Sequence, residues 1–162
     1  GESIKFVEED KPLGTFGSLS LISNFEHDNI LVINSDILTN VNFQLFYEKF
    51  LESKCDIGLI SIEYSSKIPY ATLIEKDLKL LGFEEKPTYN YLINTGIYLM
   101  NRKAISRIPK NKFYNATDLL KEFLNNKDEV YIHKVKNYWR DIGKIDDLNK
   151  AKRDVLNIFN ND

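Results

Sequence analysis

A single cysteine, Cys55, stands among 162 residues. The chain therefore has no internal disulfide to draw on, and without a basic neighbour of an activating kind this thiol reads as a reduced, packed bystander. Charge of one sign is also missing: 22 Lys and Arg face 24 Asp and Glu, a net charge of -2. That balance excludes the broad basic field that draws proteins onto nucleic acid or anionic lipid, so any phosphate recognition must be local. No apolar run reaches bilayer-spanning length, and Gly1-Glu2-Ser3-Ile4-Lys5-Phe6 lacks the layout of a signal peptide. The expectation is a cytoplasmic protein with no nucleic-acid or membrane partner. His27 and His133 have no Cys, Ser or further His at usable spacing, which removes zinc and nucleophilic chemistry from them. Repeats and Gly/Ser linkers are absent, and one domain over 1–162 is expected.

What is present is a sizeable core-forming content, 43% hydrophobic and 12% aromatic, in alternating strand and helix patterns. Strand patterns occur at Ile4–Val7, Ile30–Ile33, Ile57–Ile62, Ile93–Met100 and Val130–Val135. Ile30–Ile33 is a continuous aliphatic run suited to a strand covered on both faces. Helical spacing runs from Asn42, a cap, to Leu51, from Asn115 to Leu124 and from Ile145 to Ile158. Leu13–Leu19 reads as a glycine-bearing turn leading into a helix, and basic residues between Asn101 and Lys112 read as a solvated helix surface. Tyr70–Glu75 and Leu78–Phe83 form a hairpin turning at Lys76-Asp77. The order predicts an α/β fold, a Rossmann-like layered sheet that is mainly parallel with an antiparallel hairpin.

In such sheets ligands settle at the carboxyl ends of the strands. Asp36 follows the aliphatic run there, either as a hard oxygen ligand for magnesium or simply as the start of a turn. Asp141, in Tyr138-Trp139-Arg140-Asp141-Ile142-Gly143, is either a second ligand of the same ion or a residue with a capping or salt-bridging role with Arg140. Glu85 and Lys86 interrupt strand-like runs side by side, and unpaired burial of either would be costly. They are a solvated turn or the grip of a phosphorylated sugar, whose hydroxyls donate to a carboxylate and whose phosphate accepts from an ammonium. Gly14 and Gly17 permit either a tight turn or the close approach of a ligand.

Pro12-Leu13-Gly14-Thr15, Asn34-Ser35-Asp36, Pro69-Tyr70, Phe83-Glu84-Glu85-Lys86-Pro87, Asn94-Thr95-Gly96-Ile97-Tyr98 and Trp139-Arg140-Asp141-Ile142-Gly143, taken in order, resemble the sugar-phosphate nucleotidyltransferases. The mannose-1-phosphate guanylyltransferases are the nearest flavour. The resemblance covers nearly the whole chain and implies the nucleotide-diphospho-sugar transferase fold. It implies transfer of a nucleoside monophosphate from a nucleoside triphosphate to a sugar 1-phosphate, with Mg2+ as cofactor and pyrophosphate as product. By the same resemblance Asp36 and Asp141 hold the metal, Glu85 takes the sugar hydroxyls and Lys86 the sugar phosphate. Asn94 and Thr95 line the sugar pocket, while Pro12, Leu13 and Gly14 border base and ribose. Tyr70, Ala71 and Trp139 complete the implied substrate-binding set, and a homo-oligomer is compatible with it.

Three departures stand out. Ser35 and Ala71 occupy positions where the family usually has glycine, and the family's glycine-rich loop, whose amides and basic residues cradle a triphosphate, does not occur. The expectation is a fragment lacking that N-terminal stretch, inactive alone as a pyrophosphorylase. The competing expectation is a catalytically silent module of the same fold that binds a nucleotide sugar as a sensor or in assembly.

Overall fold

The computed structural model describes residues 4–158. Among these the strands are β1 (Asn29–Ile33), β2 (Ile37–Thr39), β3 (Ile57–Lys67), β4 (Thr72–Lys76), β5 (Lys79–Glu84), β6 (Thr88–Asn101), β7 (Val130–Val135) and β8 (Trp139–Asp141). The helices are α1 (Gly14–Gly17), continued by a 3-10 turn at Ser18–Leu21, then α2 (Phe43–Ser53), α3 (Arg102–Ser106), α4 (Ala116–Asn125) and α5 (Ile145–Ile158).

The central sheet has the order β1-β6-β3-β7. β6 runs antiparallel to both β1 and β3, and β3 runs parallel to β7. Three of the four strands therefore share one direction, with β6 reversed between two of them. Alternation along β3 and β6 sends side chains to two cores. On one face Ile57, Leu59, Tyr98 and Met100 meet Phe16, Ala104, Leu119 and Phe123 from α1, α3 and α4. On the other, Ile60, Ile97 and Leu99 meet Val41 and the α2 residues Phe46 and Phe50. The result is a sheet layered between helices on both faces, as the alternating pattern predicts.

Local chemistry fixes the helix starts. The Asn42 side chain accepts from Leu45 N at 2.9 Å, capping α2 as its sequence position suggests. At α4, Asn115 N donates to Asp118 Oδ2 at 2.9 Å and Ala116 N to Thr15 Oγ1 at 2.8 Å, tying the helix to the first turn of the chain.

Three sequence readings change, and one pairing is added. Ile4–Val7 forms no strand, because no neighbouring edge among the described residues pairs with it, and Phe6 is exposed. β1 is an edge strand with Leu31 and Ile33 each 40% exposed, so its aliphatic run is not covered on both faces. The hairpin turns at Asp77-Leu78, both in the left-handed region (φ 53 and 62), one residue later than the polar pair suggests. Two positive φ values match the right-handed strand twist, which outweighs the poor fit of Leu78 to that region. Finally β2 and β8, three residues each and without periodicity, pair with each other.

Candidate active site

At the end of β1 the chain bends through Asn34-Ser35-Asp36 and enters β2, which pairs antiparallel with β8 in the register Ile37↔Asp141, Leu38↔Arg140 and Thr39↔Trp139. Several bonds fix this corner. Ile142 N donates to Asp36 O at 2.8 Å, Thr39 Oγ1 to Tyr138 O at 2.7 Å and Tyr138 N to Asn40 Oδ1 at 2.9 Å. The Trp139 indole donates to Thr95 O at 2.9 Å, joining β8 to β6. Two aspartates 105 residues apart thereby become neighbours. A Cβ placed on Gly143 would lie 3.0 Å from Asp36 Oδ2 and 3.2 Å from Asp141 Oδ1, so both carboxylates lean over one glycine. Gly143 N also donates to Asp141 Oδ1 at 2.9 Å.

Neither carboxylate enters an ion pair among the described residues. Arg140 turns away from its neighbour Asp141 and pairs with Asp154 and Asp147 on α5, which disposes of the salt-bridge alternative for Asp141. Two adjacent carboxylates without a cationic partner repel each other, and the chemistry that relieves this is a cation. No cluster of three or more His, Cys, Asp or Glu suited to a metal occurs among the described residues. A pair of hard oxygen donors fits magnesium, which commonly takes one or two carboxylates and fills its octahedron with phosphate oxygens and water.

β6 meets this corner at Gly96. Its φ is +76 and a Cβ there would come within 2.6 Å of Asn34 Nδ2, while Asn34 N donates to Gly96 O at 3.0 Å. Only glycine allows β6 and the end of β1 to approach so closely. Asn94 remains exposed, with its amide donating to Tyr98 Oη at 2.7 Å and accepting from Gly96 N at 3.0 Å. Thr95 corrects the expectation that it lines a pocket: it is 1% exposed and its hydroxyl donates to Ile60 O at 2.8 Å. A β-branched residue at that strand position turns into the sheet, leaving its carbonyl for Trp139.

Glu85 and Lys86 lie in the turn between β5 and β6, both exposed, 3.9 Å from each other, with Lys86 at φ 48. No ion pair or hydrogen bond joins Lys86 to the aspartate corner among the described residues. Tyr70 and Ala71 are exposed just before β4. Pro12 is exposed, but Leu13 is a second correction. It is 1% exposed, its N donates to Glu9 Oε2 at 3.0 Å and its O accepts from Tyr114 N at 2.8 Å, which commits it to the core. Gly14, at φ +76, would bring a Cβ 2.7 Å from Asn115 Oδ1, and Gly17 one 2.5 Å from Lys112 O. The space these glycines leave is taken by the chain's own 112–115 segment.

Sequence reasoning missed Gly143 as the shared floor of the carboxylate pair, for which its place two residues after Asp141 was the available signal. It also missed a cavity of about 280 Å³ beside Asp141, lined by Ile62, Tyr64, Trp139, Arg140, Asp141 and Asp147. Aromatic faces beside carboxylates suit a polyhydroxylated ring, which offers both apolar C–H surface and donors.

Strand-end carboxylates thus meet beside this cavity at one corner of the layered sheet. A family model described as nucleotidyl transferase matches residues 2–158, and the chain belongs to that family. It is 32% identical over 160 residues to the D-glycero-alpha-D-manno-heptose 1-phosphate guanylyltransferase of Aneurinibacillus thermoaerophilus, covering 96% of this chain and 68% of the relative. It is 24% identical to the mannose-1-phosphate guanylyltransferase of Mycobacterium tuberculosis, over 96% of this chain and 45% of that protein. The crystal structure of HddC from Yersinia pseudotuberculosis superposes with TM-score 0.66 at 28% identity, covering 90% of this chain and 64% of the other. The same protein has been solved in complex with GMP-PN. The chain thus spans between 45% and 68% of the two curated relatives named here.

Proposed function

We propose that this chain forms the metal- and sugar-phosphate-binding part of an enzyme that transfers a nucleoside monophosphate from a nucleoside triphosphate to a sugar 1-phosphate. In this reaction a phosphate oxygen of the sugar 1-phosphate attacks the α-phosphorus, and the bond from that phosphorus to the bridging oxygen breaks, releasing pyrophosphate. Phosphoryl-type transfers depend on alignment and charge neutralisation more than on a covalent nucleophile. Bound Mg2+ supplies that neutralisation. Asp36 and Asp141 are the residues that would hold it, Glu85 orients sugar hydroxyls and Lys86 pairs with the sugar phosphate. Asn94, Tyr70, Ala71 and Trp139 border the sugar, Pro12 borders the nucleotide, and Leu13, Gly14 and Thr95 serve by fixing backbone. Guanosine triphosphate with mannose 1-phosphate, or a heptose of the same configuration, is the favoured pair, supported by the names of the relatives at 32% and 24% identity. A cytoplasmic setting goes with these substrates.

The observation that carries the reading is the pair of aspartates leaning over Gly143. It is tested in the complete gene product by pyrophosphate release from a panel of nucleoside triphosphates and sugar 1-phosphates with Mg2+. Release with one sugar phosphate family, lost in Asp36→Asn and Asp141→Asn, is the expected result. Binding of a nucleotide sugar with no release from any pair would overturn it in favour of a silent sensor or assembly module.

A further inference from the structure

Helix α5 follows Asp141 after only Ile142, Gly143 and Lys144, so where α5 sits decides where Asp141 sits. Apolar burial alone does not seat it. Among the side chains described on α5, Ala151 is the one that is buried, while Ile145 is 77% and Leu148 36% exposed. Polar contacts take over. Arg140 donates to Asp154 Oδ2 from Nη2 at 2.9 Å and from Nε at 3.2 Å, and its Nε also lies 3.0 Å from Tyr138 Oη. Tyr138 Oη donates in turn to Asp154 Oδ2 at 2.8 Å. Arg140 Nη1 is 3.7 Å from Asp147 Oδ1, one face of α5 away by two turns from Asp154. The Arg140 and Asp154 side chains are 29% and 32% exposed, shielded enough for the closed network to hold one geometry.

We propose that Arg140, Tyr138 and Asp154 are positioning residues that clamp α5 to β8 and so hold the Asp141 carboxylate against Asp36 in cation-ready geometry. The proposal rests on the reading of Asp36 and Asp141 as the metal pair. The need for a clamp is physical: β2 and β8 are three residues each, and a two-stranded ribbon of that length is marginal by itself. Arg140 suits the task because its planar fork engages the phenol and the carboxylate together, which a lysine ammonium cannot reproduce.

The test titrates the complete protein with Mn2+ alone, following loss of the free-ion electron paramagnetic resonance signal, with thermal melting alongside. Wild type binds, Asp36→Asn does not, and Asp154→Ala and Asp154→Leu weaken binding about 10- to 100-fold, the range typical of groups that orient a metal ligand. Asp154→Glu recovers most of the affinity and Arg140→Lys only part. Asp154→Leu is close to aspartate in size and offers Arg140 and Tyr138 no acceptor, and its cooperative melting shows that the fold is kept. Wild-type Mn2+ affinity in a folded Asp154→Leu would overturn the clamp and leave the metal pair standing. Mn2+ binding that survives Asp36→Asn, or no binding by wild type, would remove the metal pair itself and the clamp with it.

Discussion

The corner where β2 meets β8 and the turn joining β5 to β6 carry the charged residues of the candidate site, and they are built in opposite ways. Asp36 and Asp141 are placed by cross-chain bonds from Ile142, Thr39, Tyr138 and Trp139, all between residues far apart in sequence. Glu85 and Lys86 have each other at 3.9 Å, with side chains 62% and 58% exposed. A group meant for a small, demanding ion benefits from a rigid seat, because octahedral coordination tolerates little error. A lysine meeting a phosphate acts as a point charge on a flexible stem, and loose placement serves it well. On the proposed roles, the contrast sets a bonded metal corner against a loosely held sugar-phosphate grip.

The sharpest way to break that contrast is to remove one carboxylate. Asp36→Ala or Asp141→Ala is expected to cut turnover of the complete protein by roughly 10³-fold, several kcal/mol of transition-state charge stabilisation, with near-normal melting. A steady-state rate within tenfold of wild type would detach that residue from the metal. Lys86→Ala is expected to act mainly on KM for the sugar phosphate, by about 10- to 100-fold, as the loss of one charged hydrogen bond of about 1.5–3 kcal/mol would. If kcat fell and KM did not, Lys86 would belong to the preset corner after all.

Two glycines sharpen the same line. Gly96→Ala forces a side chain into the left-handed region and onto Asn34, and it is expected to destabilise by about 1–3 kcal/mol, seen as a lower thermal midpoint. Gly143→Ala meets the Asp36 and Asp141 carboxylates first, at 3.0 and 3.2 Å. It is expected to spread the pair, weakening magnesium dependence of the rate while the midpoint moves less than in Gly96→Ala. The smallest effect is far from the site. Burial first, then the hydrogen bond to Glu122, pushes the Tyr114 phenol up to about 12. The folded chain holds that proton more tightly than the unfolded one, so this stability is whole below the ordinary value near 10 and fades as pH rises toward 12. Melting of wild type and Tyr114→Phe across that range should converge at the alkaline end.

Much of the fold was legible because its signals are local. The Asn42 cap and the aliphatic strands each lie within a few residues of what they organise. The aspartates were legible as candidates through strand-end position. Their meeting was not, since β2 and β8 are too short to show a period and their register is set across the whole chain. Thr95 and Leu13 misled because a residue's direction out of a sheet or turn depends on neighbours that pattern alone does not reveal. Gly14 and Gly17 promised space for a ligand, and the chain's own backbone fills it. The direction of β6 was hidden for a related reason: an apolar run looks the same read along either neighbour.

The 105-residue gap between the two aspartates also carries a meaning for biosynthesis. At ribosomal rates of about 5–20 residues per second, Asp36 waits roughly 5 to 20 s for its partner to emerge. During that interval the nascent chain offers a divalent ion one lone carboxylate, which holds it no better than any surface acid. On the proposed reading of the pair as the metal site, ion capture is withheld until translation has delivered both carboxylates.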